Sequence, residues 1–165
     1  MIGIGIPHAD TARDAKTNAA GTTVYTDPAS SSATAVQATI DGVRQLFTLN
    51  NASASTDVTV PLTLPVGAQL VAAGGGGYDI VTQAANGPAV TIASIGAPWA
   101  TDADGKNLPT SYTLDGDQLT QHVETTGAVF PVVADPLDDH YGRCRDSSSQ
   151  GAVRFRQLLR FRACL

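Results

Sequence analysis

The side chains in this sequence that could do chemistry are few and scattered. Asp138, Asp139 and His140 form an acid–histidine cluster, a combination that can hold a proton or bind a metal weakly. A soluble linker explains the same residues with fewer assumptions, and we expect a linker here. The other histidines, His8 and His122, are not spaced as metal ligands on one element, and we expect His122 to be a partly exposed structural residue.

Two loops resemble ligand-binding motifs. The loop from Asp102 to Asn107 offers the hard oxygen atoms that calcium prefers. An EF-hand loop, however, needs Gly at its sixth position and Glu at its twelfth, where this chain has Asn107 and Thr113. We therefore expect a turn with solvated aspartates. The glycines 74–77 lack the Lys-Ser/Thr of a phosphate-binding loop and precede a strand pattern, so we expect a hairpin loop.

No constellation for covalent catalysis is visible. Ser and Thr are abundant, yet the chain has no G-x-S-x-G nucleophile elbow. The segment Glu124-Thr-Thr-Gly matches the Asp-Thr-Gly turn of aspartic proteases only loosely, because a glutamate replaces the aspartate. We predict a protein that is not an enzyme, with no catalytic residue, no cofactor and no metal ligand.

Composition and charge narrow the class of protein. Hydrophobic residues make up 42% of the 165 residues, charged residues only 15%, and Glu124 is the single glutamate. Such a composition disfavours long helices and suits short strands. Up to Pro136 the chain has 4 Lys or Arg against 12 Asp or Glu, a net charge of −8, and afterwards 6 Arg against 3 Asp, a net +3. An acidic body argues against nucleic acid as a partner.

The sequence that must position these side chains predicts short strands separated by regularly spaced turns. The predicted strands are Thr22–Thr26, Thr34–Ile40, Val43–Leu49, Asp57–Leu64, Gln69–Ala73, Tyr78–Thr82, Ala89–Ile95, Ser111–Leu114, Gln118–Val123 and Ala128–Ala134. Apolar residues alternate along several of them, and turn signals recur every 8 to 12 residues, roughly the spacing of all-β folds. We predict an antiparallel β-sandwich, immunoglobulin-like or similar, although this pattern does not separate a sandwich from a barrel.

The chain divides by composition into three parts. Residues 1–20 are expected to form a loosely held arm, residues 21–136 the β-sandwich domain, and residues 137–165 a basic tail that is either helical or disordered. We expect Trp99, beside Pro98, to plug the core, as a lone tryptophan often does. Pro131, inside the last predicted strand, favours an edge strand or a bulge there.

The tail holds both cysteines and a set of arginines among apolar residues. Cys144 and Cys164 could pair in an extracellular protein. The arginines that could contact a membrane or a partner are Arg154, Arg156, Arg160 and Arg162. They could belong to a helix that binds anionic lipid, or they could pack on the acidic body. A third interpretation is that the abrupt change of composition comes from a GC-rich gene read out of frame.

Two segments carry a resemblance to a known group. They are the segment from Gly96 to Thr110, which reads GAPWATDADGKNLPT, and the segment from Phe130 to Pro136, which reads FPVVADP. Over roughly residues 20–136 the chain resembles secreted actinobacterial proteins, mostly uncharacterised, whose N-terminal β-rich module ends in an (F/Y)PVVADP motif. Some members look like bacteriocin or toxin precursors. The resemblance implies no catalytic residues.

Location and function follow from this resemblance as expectations. The chain has no run of 18 apolar residues that would span a membrane, and its first residues are too short for the hydrophobic part of a secretory signal. The resemblance nevertheless implies export of the full-length form. We expect a secreted, non-enzymatic carrier or interaction module for the C-terminal segment, with a protein or cell-envelope partner. The alternative is a bacteriocin-like or toxin-like effector precursor that acts through the basic tail.

Overall fold

The computed structural model describes residues 1–40, 42–83 and 87–140, with the backbone alone for residues 136–140. Its strands are β1 (Gly3–Ile4), β2 (Arg13–Thr17), β3 (Thr22–Asp27), β4 (Ser32–Ala38), β5 (Val43–Leu49), β6 (Asp57–Thr63), β7 (Ala68–Ala72), β8 (Tyr78–Gln83), β9 (Ala89–Ile95), β10 (Trp99–Thr101), β11 (Thr110–Asp115), β12 (Gln118–Val123) and β13 (Val132–His140). A single 3₁₀ turn covers Gly74–Gly76. For β3 to β9, β11 and β12, the first and last residues lie within two residues of those predicted from the sequence.

The strands form two antiparallel sheets. The small sheet has four strands in the order β1-β6-β12-β11, and the large sheet has nine, in the order β2-β3-β4-β5-β13-β9-β8-β7 with β10 paired to β13 beside this path. Alternate side chains of both sheets point inwards: β6 contributes Val58, Val60 and Leu62, and β5 contributes Phe47 and Leu49. These inner faces share one buried core, so the predicted antiparallel sandwich is confirmed.

The last strand occupies the middle of the large sheet. The first part of β13 pairs with β5 and β10, and its last residues pair with β9 as well as β5. The register advances from Ala134 opposite Phe47 to Leu137 opposite Gln45, which places one extra residue in β13 at Asp135-Pro136. Such a bulge tolerates a proline, because the bulged residue does not need to donate to the ladder.

This position corrects one prediction from the sequence. We expected a last strand over Ala128–Ala134, with Pro131 marking an edge or a bulge. The strand instead begins at Val132, leaves Pro131 outside, and continues past Pro136 to His140. It lies between other strands on both sides, because the core-facing Val132 and Ala134 are fully buried and belong over the centre of the sheet.

The first residues also pair with the sandwich. Gly3 and Ile4 pair with Thr63 and Leu62 of the small sheet, and β2 pairs with β3 in the large sheet. A Cβ on Gly5 would lie 2.5 Å from Cγ of the Pro61 side chain, so glycine allows this close approach. The start of the chain therefore adds a strand to each sheet.

Candidate functional site

An open cleft lies where the edge of the small sheet meets the β7–β8 hairpin of the large sheet. It has a volume of about 260 Å³ and is lined by Ala72, Ala73, Gly75, Gly76, Gly77, Tyr78, Pro98, Thr110, Ser111 and Tyr112. The rings of Tyr78 and Tyr112 lie on the two different sheets, with centroids 6.3 Å apart and planes tilted by 45°. Drug-sized ligands generally occupy roughly 300 to 1,000 Å³, so this cleft suits a few side chains better than a whole small molecule.

The glycine loop shapes one wall of the cleft. The Ala73 N–H donates to the Gly77 carbonyl at 2.9 Å, and Ala72 pairs with Tyr78 across the hairpin. A Cβ on Gly77 would lie 2.3 Å from the carbonyl oxygen of Ile95, so no other residue fits there without a shift of backbone. The predicted hairpin loop is confirmed, and Gly77 allows a tight approach of two backbone segments.

Tyr112 supplies the cleft with a phenol that stays protonated. Burial raises the pKa of Tyr112 well above its ordinary value, and the negative charge of Asp135 raises it further. At neutral pH the phenol therefore keeps its proton. The two aromatic rings and Pro98, together with the hydroxyl groups, give the cleft a surface that is nearly as polar as it is apolar.

Below the cleft, polar side chains enter the sandwich interior. Gln121 is completely buried, and its Nε2 donates to the Trp99 carbonyl at 3.1 Å and to Thr110 Oγ1 at 3.0 Å. Gln45, also buried, donates from Nε2 to the Gly5 carbonyl. These bonds connect the two sheets, because Gln121 belongs to the small sheet and Trp99 to the large one. They fix how the sheets face each other next to the cleft.

The outer face of the small sheet carries a hydrogen-bonded chain that the sequence did not reveal. Thr113 Oγ1 lies 2.8 Å from His122 Nε2, and His122 Nδ1 lies 2.6 Å from Asp57 Oδ1. This hydroxyl–imidazole–carboxylate order is that of serine hydrolases. The three residues lie on β11, β12 and β6, far apart in the sequence, and the register of these strands brings them together.

The surroundings of Thr113, His122 and Asp57 limit the chemistry that these three residues can do. His122 and Asp57 are well exposed, with 38% and 59% of their side-chain surfaces accessible, and none of the three residues lines the cleft. A hydrolase also needs donors aimed at a developing oxyanion and a pocket that holds the substrate. The prediction of a partly exposed, structural His122 agrees with its exposure and its two partners.

The loop from Asp102 is a turn, as predicted, but its first aspartate is not solvated. Asp102 is only 6% exposed. Its Oδ1 accepts from the N–H groups of Lys106 and Asp104, and its Oδ2 accepts from the Val129 N–H. These bonds, that of Lys106 above all, lower the pKa of the Asp102 carboxyl group despite its burial. The carboxylate thus ties the turn to the segment before β13.

Trp99 does not plug the core, so that prediction was wrong. Its side chain is an exposed large hydrophobic group with 39% of the residue accessible. The next residue, Ala100, is the one that faces the core, since neighbours on a strand point to opposite faces. A lone exposed tryptophan on a sheet face is a common kind of contact residue in protein interfaces.

The remaining predicted site residues fall at or beyond the end of the described chain. The backbone of Asp138 pairs with Arg44, that of Asp139 with Ile95 and that of His140 with Ser94. These residues belong to β13, so the prediction of a linker here was wrong. Cys144 and Cys164, the predicted disulfide pair, lie outside the described residues. So do the four predicted contact residues, Arg154, Arg156, Arg160 and Arg162.

Within residues 1–40, 42–83 and 87–140, no helix is long and apolar enough to cross a membrane. In comparisons with known proteins, no family model, no curated protein and no solved structure matches this chain. The resemblance of the FPVVADP segment therefore stays a prediction.

Proposed function

We propose that this chain is an exported, non-enzymatic β-sandwich module that carries the segment after His140 and presents it to a protein or cell-envelope partner. The central position of β13 carries this proposal. The strand that leads into the segment is hydrogen-bonded on both sides, to β5 on one side and to β9 and β10 on the other. A segment that continues from such a strand is anchored by the whole sheet.

The surfaces of the described residues fit a protein partner better than a nucleic acid. The chain up to Pro136 has a net charge of −8, which repels phosphate backbones. The cleft and the exposed Trp99 offer aromatic contacts instead, and aromatic residues are enriched where proteins bind each other. The proposal needs no cofactor.

The carrier proposal is tested by exchanging the carried segment. Residues 141–165 are replaced in the full-length chain by a Gly/Ser sequence of the same length, and in a second variant by a scrambled order of the same residues. We expect both variants to keep the native circular dichroism spectrum and to unfold cooperatively, because the core lies before residue 141. Loss of cooperative unfolding in both would show that the segment belongs to the folding unit, which contradicts the proposal.

Export and the effector alternative need separate measurements. Intact-mass and terminal-peptide mass spectrometry of culture medium and cell lysate should find the chain in the medium. Recovery from the lysate alone, with free thiols, would contradict export. An effector that acts through the basic tail should release dye from anionic vesicles when a peptide of residues 137–165 is added at micromolar concentration, whereas a carried segment should not.

A further inference from the structure

The strand at one end of the large sheet, β7, is an open edge without charge. Its sequence is AQLVA, and among the described residues its one neighbouring strand is β8. The chain has no charged side chain from Val58 to Tyr78. Natural sheets usually protect an edge with charges, with bulges or by keeping the edge strand very short. β7 has none of these features, and its register with β8 is regular from Ala68 to Ala72.

The other edge strands are less open to a further strand. β2 has the charged sequence RDAKT and a register shift between Arg13 and Lys16, and β1 has only two residues. β11 is uncharged except for Asp115 at its end, but it is set back from the rim of the sandwich. The ring of Tyr112 on β11 lies 6.3 Å from that of Tyr78 on β8. Since β7 follows β8 in the large sheet, it projects one strand farther outwards than β11.

The open side of β7 presents the backbone groups of Leu70 and Ala72. The Ala73 N–H donates to the Gly77 carbonyl across the hairpin, so the backbone of Ala73 faces β8. Along an antiparallel strand, successive residues direct their backbone groups alternately towards one neighbour and away from it. Val71, two residues before Ala73, therefore also faces β8 with its backbone. Leu70 and Ala72 direct their N–H and C=O groups outwards.

An apolar side chain stands at the centre of this edge. Val71 is an exposed large hydrophobic residue, of which 47% is accessible. Leu70, its neighbour, packs against the core. Because successive side chains point to opposite faces, Val71 lies on the outer face of the large sheet. The edge thus combines four outward-directed backbone groups with an exposed valine between them.

We propose that two copies of this chain associate through β7, which pairs with its counterpart in antiparallel fashion about a two-fold axis at Val71. In this register Leu70 of each copy lies opposite Ala72 of the other. The residues of such a pair exchange both N–H···O bonds, so four hydrogen bonds use every outward-directed group. Val71 faces its own symmetry mate in a non-hydrogen-bonded pair, in which side chains come closest. The two large sheets then form one continuous sheet.

The neighbouring registers fit this strand less well. An axis one residue earlier would place Ala72 opposite Ala68, whose N–H already donates to the Pro65 carbonyl at 3.0 Å. An axis one residue later would place Leu70 opposite Gly74, which belongs to the 3₁₀ turn instead of the strand. The central axis is the one that uses all the outward-directed groups, and it also brings the exposed valines together.

Charge favours a second copy as the occupant of this edge. The chain up to Pro136 has a net charge of −8, so two copies repel each other wherever these charges come close. At β7 they meet without a charge between them. The acidic side chain on the neighbouring strand is Asp79, and its two copies would lie three strand spacings apart, about 14 Å. This distance exceeds the screening length of about 8 Å at physiological ionic strength. A foreign strand would find no charge on β7 to orient it.

The pairing has a consequence for presentation, which rests on the proposed carrier function, whereas the pairing itself does not. β13 lies three strands from β7, in the order β13-β9-β8-β7. In the joined sheet the two copies of β13 lie seven strand spacings apart, roughly 34 Å, and run in opposite directions. The dimer would thus present two segments, and a partner with two binding sites would gain avidity from it.

Sedimentation of the full-length chain under reducing conditions tests the pairing. We expect a reversible dimer of twice the chain mass of 16.9 kDa. Val71→Lys should raise its dissociation constant at least about 10-fold, because two lysines would face each other at the axis. Val129→Lys is the matched control, since Val129 is 45% exposed and lies in the segment before β13. This variant should dimerise like the native chain.

Two further variants examine the register. Ala72→Pro removes an N–H that faces outwards, and an edge strand tolerates a proline there, so the fold should persist while the dimer is lost. Protection of the Leu62 amide, which donates to the Asp117 carbonyl, reports that the fold is unchanged. An equal mixture of Val71→Lys and Val71→Asp should dimerise although each variant alone does not, because opposite charges then meet at the axis.

Three results would overturn the inference. The first is a native chain that stays monomeric at concentrations up to about 1 mM. The second is a dimer that is equally stable in Val71→Lys and in Ala72→Pro, since the contact would then lie elsewhere. The third is a mixture of the two Val71 variants that remains monomeric. None of these results affects the carrier proposal, which fails only if the exchanged-segment variants lose their fold or the chain is not exported.

Discussion

The guanidinium Nε of Arg44 donates a hydrogen bond of 3.1 Å to Oδ2 of Asp135, whose side chain is completely buried. Asp135 lies in the bulge of the central strand β13, and Arg44 lies on the neighbouring strand β5. The pair therefore holds the irregular part of the central strand against its neighbour, at the point where the chain leaves towards residue 141.

Replacing Arg44 by alanine should destabilise the sandwich. The change removes a charged donor from a buried carboxylate, and we expect a loss of about 1 to 3 kcal/mol, since 40% of the Arg44 side chain is exposed and water can partly replace it. Urea unfolding measures this loss. Arg13→Ala on the exposed edge strand β2 is the control, with an expected change within about 0.5 kcal/mol. Equal effects of the two substitutions would contradict the importance of the pair.

Acid should weaken the fold partly through Asp102. Hydrogen bonds from the amides of Lys106, Val129 and Asp104 lower the pKa of this carboxyl group below the ordinary value of 3.8. A lowered pKa adds stability above the unfolded-state pKa, and this stability is lost as the pH falls through the folded-state pKa. Thermal midpoints should drop less between pH 5 and pH 2 in Asp102→Asn than in the native chain. Parallel curves would show that Asp102 does not contribute.

Tyr112 should not ionise while the protein is folded. Burial and the charge of Asp135 raise its pKa well above the usual value, which is about 10 for tyrosine. Ultraviolet titration should therefore give the same tyrosinate signal for the native chain and for Tyr112→Phe until alkaline unfolding begins. A native signal that exceeds that of the variant by one tyrosinate near pH 10 would contradict the burial of this phenol.

The single tryptophan gives a direct probe of Trp99. Because 39% of the residue is accessible, acrylamide should quench the fluorescence of the folded protein efficiently. The matched control moves the tryptophan into the core, with Trp99→Phe and Phe47→Trp in one chain, and should quench far less, since Phe47 is 2% exposed. Strong protection of Trp99 from acrylamide in the native monomer would contradict its exposed position.

The hydrogen-bonded chain of Thr113, His122 and Asp57 tests the proposal that the protein is not an enzyme. We expect hydrolysis of p-nitrophenyl acetate to be the same for the native chain and for Thr113→Val, because the three residues lie on an exposed sheet face outside the cleft. A fluorophosphonate probe should leave Thr113 unlabelled. Labelling of Thr113 that disappears in His122→Ala would show an activated nucleophile and would overturn the non-enzymatic proposal.

Local pattern was enough to place most strands. The alternation of Val58, Val60 and Leu62 predicted β6 with its buried face, and the turn signal around Gly116 predicted the hairpin of β11 and β12. The structure places Gly116 and Asp117 in the turn, with a positive φ at Gly116. The alternation and the turn signal each lie within a few neighbouring residues, so both can be recognised from the sequence.

The candidate site was much less predictable. The cleft combines residues from the glycine loop, from Pro98 and from β11, and no local pattern indicates that these segments meet. Whether Trp99 faces the core or the solvent depends on which residues of β10 point inwards. This strand has three residues, which is too few to show an alternation in the sequence. The partners of His122 lie 9 and 65 residues away along the chain, beyond the reach of any local motif.

The sequence predicted the all-β class, most strand positions and several inward faces, because side chains alternate along a strand and each strand must bury its apolar side. Tertiary structure alone decided which strands are neighbours. It placed β13 between β5 and β9, put Asp135 against Arg44, and left β11 at an open edge. Strand pairing joins residues far apart in the chain through backbone groups that every residue shares, so the order of strands depends on how the whole core packs.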